Sequence, residues 1–175
     1  DWLSGALRQW DARHLRRKLR VRNGPQQPTI VFGGKTLAHF GANDYLTLAN
    51  DSRIVQAVQT AMTRHGWGSG ASPLISGHTE QHAEVAEAVA RFEQCDAALL
   101  FSSGFAANAG TIPALVGRDD AIFADQKNHA SLIDGCRLSG APISVYRHGD
   151  AEHLELLLQR SNCNGKRLIV TDSLF

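Results

Sequence analysis

Cysteine is scarce in this sequence, and none of it is paired in pattern. Cys95, Cys136 and Cys163 are odd in number, widely spaced and outside any CxxC motif. Neither a disulfide framework nor a zinc site is indicated, and a reducing cytoplasm fits best. An excess of charge of one sign is missing too. Lys and Arg number 18 against 17 Asp and Glu, a net charge of +1, so no global field points to nucleic acid. No apolar run approaches the roughly 20 residues that span a bilayer, and no apolar signal segment opens the chain. Internal repeats and low-complexity tracts are likewise missing. What remains is the profile of a folded domain: 175 residues, 43% hydrophobic and 20% charged, enough for one real core. The chain opens on Asp1 rather than Met and stops at Phe175, directly after an apolar strand-like run. We therefore expect a fragment of a longer protein.

The first part reads as a helix and a hairpin. Trp2, Leu3, Ala6, Leu7 and Trp10 share one helical face, which Leu15 and Leu19 would extend. Arg8, Arg13, Arg16, Arg17, Lys18, Arg20 and Arg22 make the other side basic. A solvated helix face explains most of them, although a guanidinium there could also grip a substrate carboxylate. Thr29–Phe32 and Thr36–Phe40 flank Gly33-Gly34-Lys35, a hairpin signature. Asn43 stands in a polar turn where capping is its ordinary task. We divide the chain at residue 50: an N-terminal helix and hairpin segment, 1–50, and an incomplete large domain, 51–175.

That second part opens with a helix from Ser52 to His65, stopped by Gly66, with Ile54, Val58, Ala61 and Met62 facing inward. Gly66 to Pro73 holds too much glycine for a regular element, so it is a connector or a place of close backbone approach. A helix through Gln94 follows, with Val85, Val89 and Phe92 on its buried stripe. Strand and helix then alternate: strand Ala97–Phe101, a helix to about Gly117, strand Ala121–Ala124, a helix over Ser131–Leu138, strand Ile143–Tyr146, a helix capped by Asp150, and strand Arg167–Thr171. Such alternation implies an α/β fold with a parallel sheet, whose ligands sit beyond the carboxyl ends of the strands.

Three segments follow such strand ends: Ser103-Gly104-Phe105, Asp125 to His129, and Asp172-Ser173. At the first, a strand turns through Ser and Gly into a helix, so free backbone N–H groups and the helix dipole favour a phosphate. The same residues are also compatible with an ordinary strand–helix turn. His129, in Asn128-His129-Ala130-Ser131, reads equally well as a helix-start residue.

Asn43-Asp44-Tyr45-Leu46, Gly68-Ser69-Gly70 with Ser76-Gly77, Ser102 to Asn108, Asn128 to Leu132 and Thr171 to Phe175 stand together in one order. In these segments the chain resembles the α-oxoamine synthases, enzymes that use pyridoxal 5′-phosphate (PLP) on the fold type I scaffold. The resemblance implies an N-terminal helix and hairpin followed by the first part of a mainly parallel large-domain sheet, truncated. It implies a cytoplasmic homodimer with the active site at the interface, condensing an amino acid with an acyl-CoA or acyl-ACP, with decarboxylation. Neither nucleic acid, membrane nor metal has a part. By the same resemblance Ser103, Gly104, Phe105 and Asp172 would bind the cofactor, and His129 would stack on its ring as the catalytic residue. Arg20, Asn43, Ser72 and Ser76 would meet substrate, the two serines across the dimer interface. Pro73 departs from the basic residue many members carry. The Schiff-base lysine and the aspartate on the pyridine nitrogen belong, in the family, beyond Phe175. Lys18, Lys35, Lys127 and Lys166 match no such motif, so the chain by itself is expected to be inactive. A truncated, non-catalytic dimerisation partner is the alternative.

Overall fold

In the computed structural model, which describes residues 1–174, the densest packing surrounds one strand buried from end to end. The chain divides into two compact units, Asp1–Gly68 and Ser69–Phe175.

In the first unit, α1 (Trp2–Ala12) is capped by the Asp1 carboxylate, which accepts the Leu3 N–H at 3.1 Å. It does not run on through Leu15 and Leu19. His14 takes a left-handed conformation (φ 55°) and Leu15 N–H returns to the Trp10 carbonyl, a helix stop. Past that point Leu19 is fully exposed, with no apolar cover to sustain another turn. β1 (Thr29–Phe32) and β2 (Lys35–Ala38) pair antiparallel, with Phe32 opposite Lys35. Their two-residue turn places Gly33 and Gly34 at φ 54° and 75°, the doubly left-handed turn that twists with the strands. The second strand thus starts at Lys35 and ends before His39. Asp44, not Asn43, closes the next turn by accepting the N–H groups of Leu48 and Ala49. α2 (Ser52–His65) starts on its Asp51 cap and ends at Gly66 (φ 78°). Its apolar stripe is a correction: Ile54, Val58 and Met62 are exposed rather than inward. The spacing is helical, but nothing in this unit lies on that face.

In the second unit, α3 (Glu80–Phe92) stops two residues short of Gln94, which is itself left-handed. Val85, Val89 and Phe92 are exposed, and only Ala90 of this helix is buried. Residues 97–101 are not a strand. They are extended but unpaired, and Leu99 is 85% exposed. An apolar run becomes a strand only beside another strand, and none among the described residues pairs with it. The Phe101 ring lies against Gly110, 3.2 Å from where a Cβ on that glycine would stand.

The sheet itself has three parallel strands in the order β4–β3–β5: β3 (Ala121–Asp125), β4 (Ile143–Tyr146) and β5 (Arg167–Val170). Side chains of β3 alternate between two packed faces. Ile122 and Ala124 meet Ile112, Val116 and Cys136 of α4 (Gly104–Leu115) and α5 (Ala130–Ser139) and the residue just beyond α4. Ala121 and Phe123 meet Leu154, Leu157 and Leu158 of α6 (Ala151–Arg160). α4 and α5 cross where Gly135 faces the Asn108 carbonyl. A Cβ on Gly135 would stand 2.6 Å from that oxygen and 3.0 Å from the Ile112 Cδ1. Gly135→Ala should therefore force the helices apart and lower stability by about 1–3 kcal/mol. Urea unfolding of the full-length variant checks this, and an unchanged midpoint would show that the crossing yields freely.

Candidate cofactor site

The carboxyl ends of β3 and β5 are stitched together by one buried amide. Asn128, 6% exposed, donates from Nδ2 to the Val170 carbonyl at 2.8 Å and accepts the Asp172 N–H at its Oδ1, 3.2 Å away. Asp172 reaches back: its Oδ2 accepts the His129 backbone N–H at 2.8 Å. Two segments more than forty residues apart are thereby locked in register, and His129 is set at the rim with its side chain exposed. It caps α5, with Nδ1 accepting from the Ser131 N–H at 3.2 Å.

α4 joins this rim beside α5. Ser103 caps it, Oγ accepting the Ala106 N–H at 3.1 Å. The amides of Gly104 and Phe105, in the first turn, precede any intrahelical acceptor. Around Gly104 the space where a Cβ would lie is open, so an anion can approach its N–H directly. Asn108, one turn on, donates from Nδ2 to the Ser131 Oγ at 2.9 Å and so ties α4 to the first turn of α5. The structure thus brings Ser103, Gly104, Phe105, His129 and Asp172 to one connected rim. Ser72 and Ser76 are exposed in the loop before α3, where the Ser72 carbonyl accepts the N–H groups of Ile75, Ser76 and Gly77. Gly77 has no room for a side chain there, because the Ala71 carbonyl oxygen fills the space. Arg20 and Asn43 are exposed residues of the first unit. Phe175, the end of the last matching segment, lies outside the described residues.

Sequence reasoning assigned no task to Asn128, Asn108, Ser131 or Asp125. Asp125 ends β3, 4% exposed, and its carboxylate accepts from Lys127 N–H, Gly149 N–H and the His148 ring. Burial alone would push its carboxyl up. The hydrogen bonds from Lys127, His148 and Gly149 together outweigh burial and hold it below the ordinary carboxylate value. Burial pushes the Cys136 thiol up, so it is a core residue and no nucleophile. Among the described residues no group of three or more His, Cys, Asp or Glu is placed to hold a metal ion. No helix among them is long and apolar enough to cross a membrane.

Residues 35–175 match the family described as aminotransferase class I and II. The chain belongs to the class I and II aminotransferase family. Within that family its relatives are α-oxoamine synthases. It is 46% identical, over all of its length and 44% of the other's, to an 8-amino-7-oxononanoate synthase of Anaeromyxobacter sp. (strain Fw109-5). It is 47% identical to one of Chromobacterium violaceum, over 99% of this chain and 45% of that one. A solved serine palmitoyltransferase of S. paucimobilis, with bound PLP and myriocin, superposes at a TM-score of 0.85 with 27% identity. That match covers 97% of this chain and 43% of the other. The chain therefore spans less than half the length of the relatives it matches, and carries the α/β, parallel-sheet part of this aminotransferase fold.

The Asp125 carboxylate gives a pH prediction. A carboxyl held low in the folded state contributes stability that is complete above its unfolded value, about 3.9. That contribution is lost as pH falls through the lower folded value. Asp125→Asn should flatten the acid limb of a stability-against-pH curve and lower stability at neutral pH. Denaturant melts of both proteins between pH 7 and pH 2 measure this, and parallel acid limbs would contradict it.

Proposed function

We propose that this chain forms one wall of the active site of a PLP-dependent acyltransferase, an 8-amino-7-oxononanoate synthase of biotin biosynthesis. The reaction would join L-alanine to the pimeloyl group of pimeloyl-CoA or pimeloyl-ACP, with loss of carbon dioxide and release of the thiol carrier. The observation that carries the reading is the connected rim of Gly104, Phe105, His129 and Asp172, on a chain 45–47% identical to proteins of that name. PLP, when bound, supplies an electron sink for the carbanion formed as bonds at the amino-acid α-carbon break.

Every part of the rim suits that group. The Gly104 and Phe105 amides point a helix start at its phosphate, with the Ser103 hydroxyl beside them. His129 offers a flat ring on which the pyridine of that group would stack. Asp172 holds the His129 backbone in place. Arg20 and Asn43 are assigned to the substrate, Arg20 to a carboxylate. The lysine that holds the cofactor covalently is assigned to the part of the whole protein outside this chain. Lys166 in particular is excluded: it precedes β5, at the opposite end from Asp172, and its Nζ donates to the Leu115 carbonyl. The whole protein works as a cytoplasmic homodimer, with Ser72 and Ser76 reaching the site across the interface. The glycine-rich loop that carries them exposes Leu74 and Ile75, a contact surface of the right kind. Serine palmitoyltransferase activity is the second reading, favoured by the backbone superposition.

Product analysis with L-alanine and pimeloyl-CoA, against L-serine and palmitoyl-CoA, separates the two. In the full-length enzyme His129→Ala should leave the fold intact and lower kcat about ten- to a thousandfold, or about 1.4–4 kcal/mol of transition-state stabilisation. The amino-acid KM should move less. His129→Phe should recover part of the loss, since stacking needs a flat ring. Unchanged kcat in the Ala variant, with PLP saturating, would end the stacking role.

A further inference from the structure

The hydrogen bonds around His129 assign a proton. The Ser131 backbone N–H stands 3.2 Å from His129 Nδ1. A backbone amide can only donate, so this bond favours an Nδ1 that presents its lone pair, although at that length it is a weak one. The Ser131 Oγ lies 2.7 Å from the same nitrogen. A bare Nδ1 has no proton to give, so the hydroxyl spends its single proton on Nδ1. The oxygen is then left to accept, and Asn108 Nδ2 donates to it at 2.9 Å. The three contacts agree on one assignment, and the two that run through the Ser131 hydroxyl carry most of its weight. Ser131 is 2% exposed, so water has little chance to replace either partner, and buried chains of this kind hold their polarity.

We propose that Asn108 and Ser131 are positioning residues that fix the tautomer of His129, leaving Nδ1 bare and the ring proton on Nε2. The relay also couples two parts of the rim. Asn108 is four residues beyond Gly104 on α4 and shares its helical face, so the helix that offers amides to an anion also sets the imidazole. Gly135 lets α4 approach closely enough for the contact. Two hydrogen bonds hold one edge of the ring, and it cannot turn about its χ angles without losing both. The tautomer rests on this chain's geometry alone. Its effect on turnover rests on the function proposed above.

Long-range 1H–15N correlation spectra of the full-length PLP-loaded protein, labelled with 15N-histidine, test this. His129→Phe identifies the signal by its loss. In the wild type, His129 Nδ1 should resonate as an unprotonated nitrogen and Nε2 as a protonated one. Asn108→Asp keeps the shape but turns the donor into an acceptor. The Ser131 proton then swings to the carboxylate, and its oxygen accepts from the ring, moving the proton to Nδ1. Ser131→Ala, which leaves only the backbone donor, should give a mixture of tautomers, and it serves if the first variant folds poorly. Asn108→Asp should lower kcat about two- to tenfold, the worth of one neutral hydrogen bond, with the amino-acid KM within about twofold. A wild-type ring protonated at Nδ1, or a tautomer unmoved in both variants, overturns the proposal. Expected tautomers in a protein that forms no product would uphold the relay while removing the functional reading.

Discussion

The rim depends on a single buried side chain. Asn128 both donates to the last residue of β5 and accepts from the residue two positions beyond it. Removing one such partner from a buried pair leaves polar backbone unsatisfied, a penalty of about 1–3 kcal/mol for each group. That is a large share of a domain's net stability. Asn also has a property no apolar residue shares: its amide offers a donor and an acceptor on one planar group. It can therefore read two backbone groups of opposite kind at once. With β5 held this way, Asp172 comes within reach of the His129 N–H, and the imidazole's position follows from the sheet rather than from its own flexible loop.

Catalytic geometry of this sort is better kept on rigid elements than on loops. β3 supplies the rigidity. It is the middle strand of three, packed on both faces, and its last residue, Asp125, is hydrogen-bonded rather than left to solvent. Asp125 gathers the turn leading to Asn128 and the loop after β4 around one carboxylate. The two carboxylates at this rim thus act differently. Asp125 is buried and organises backbone; Asp172 is partly exposed and holds the residue that carries the imidazole.

Several local signals in the sequence were legible to within a residue. α2 spans Ser52–His65 and β4 spans Ile143–Tyr146, because Asp51, Gly66 and the β-branched Ile143 and Val145 decide those ends nearby. The paired glycines gave the hairpin turn for the same reason. What failed was whatever depends on a distant partner. Residues 97–101 have strand composition and no strand alongside. The stripes of α2 and α3 have helical spacing and no cover. Hydrophobic periodicity states what a segment is suited to bury, not whether the covering element is at hand. At the site, the strand ends were readable as a convergence, since topology puts them on one edge. The bonds that lock them were not. Asn128 meets Val170 across 42 positions, and Asn108 meets Ser131 across 23. No spacing rule links an amide to a carbonyl or a hydroxyl at such range.

α4 shows why those long-range bonds required unusual composition. Its sequence, GFAANAGTIPAL, carries small residues at most positions and no charge. A helix of bulkier residues would stand about 8–10 Å from its neighbour, and a side chain as short as Asn would then struggle to span the gap. At the crossing itself Gly135 of α5 leaves room for the Asn108 backbone and the Ile112 side chain. Such composition has a cost, because small side chains bury little apolar area and glycine in a helix interior costs about 0.5–1 kcal/mol against alanine. The return is a polar contact between two helices that both begin at the rim. One start presents the Gly104 and Phe105 amides and the other carries the imidazole, so their spacing is set by backbone packing and a single amide. Any force that slides α4 along α5 must break Asn108 from Ser131, and with it the hydrogen bond that orients the ring.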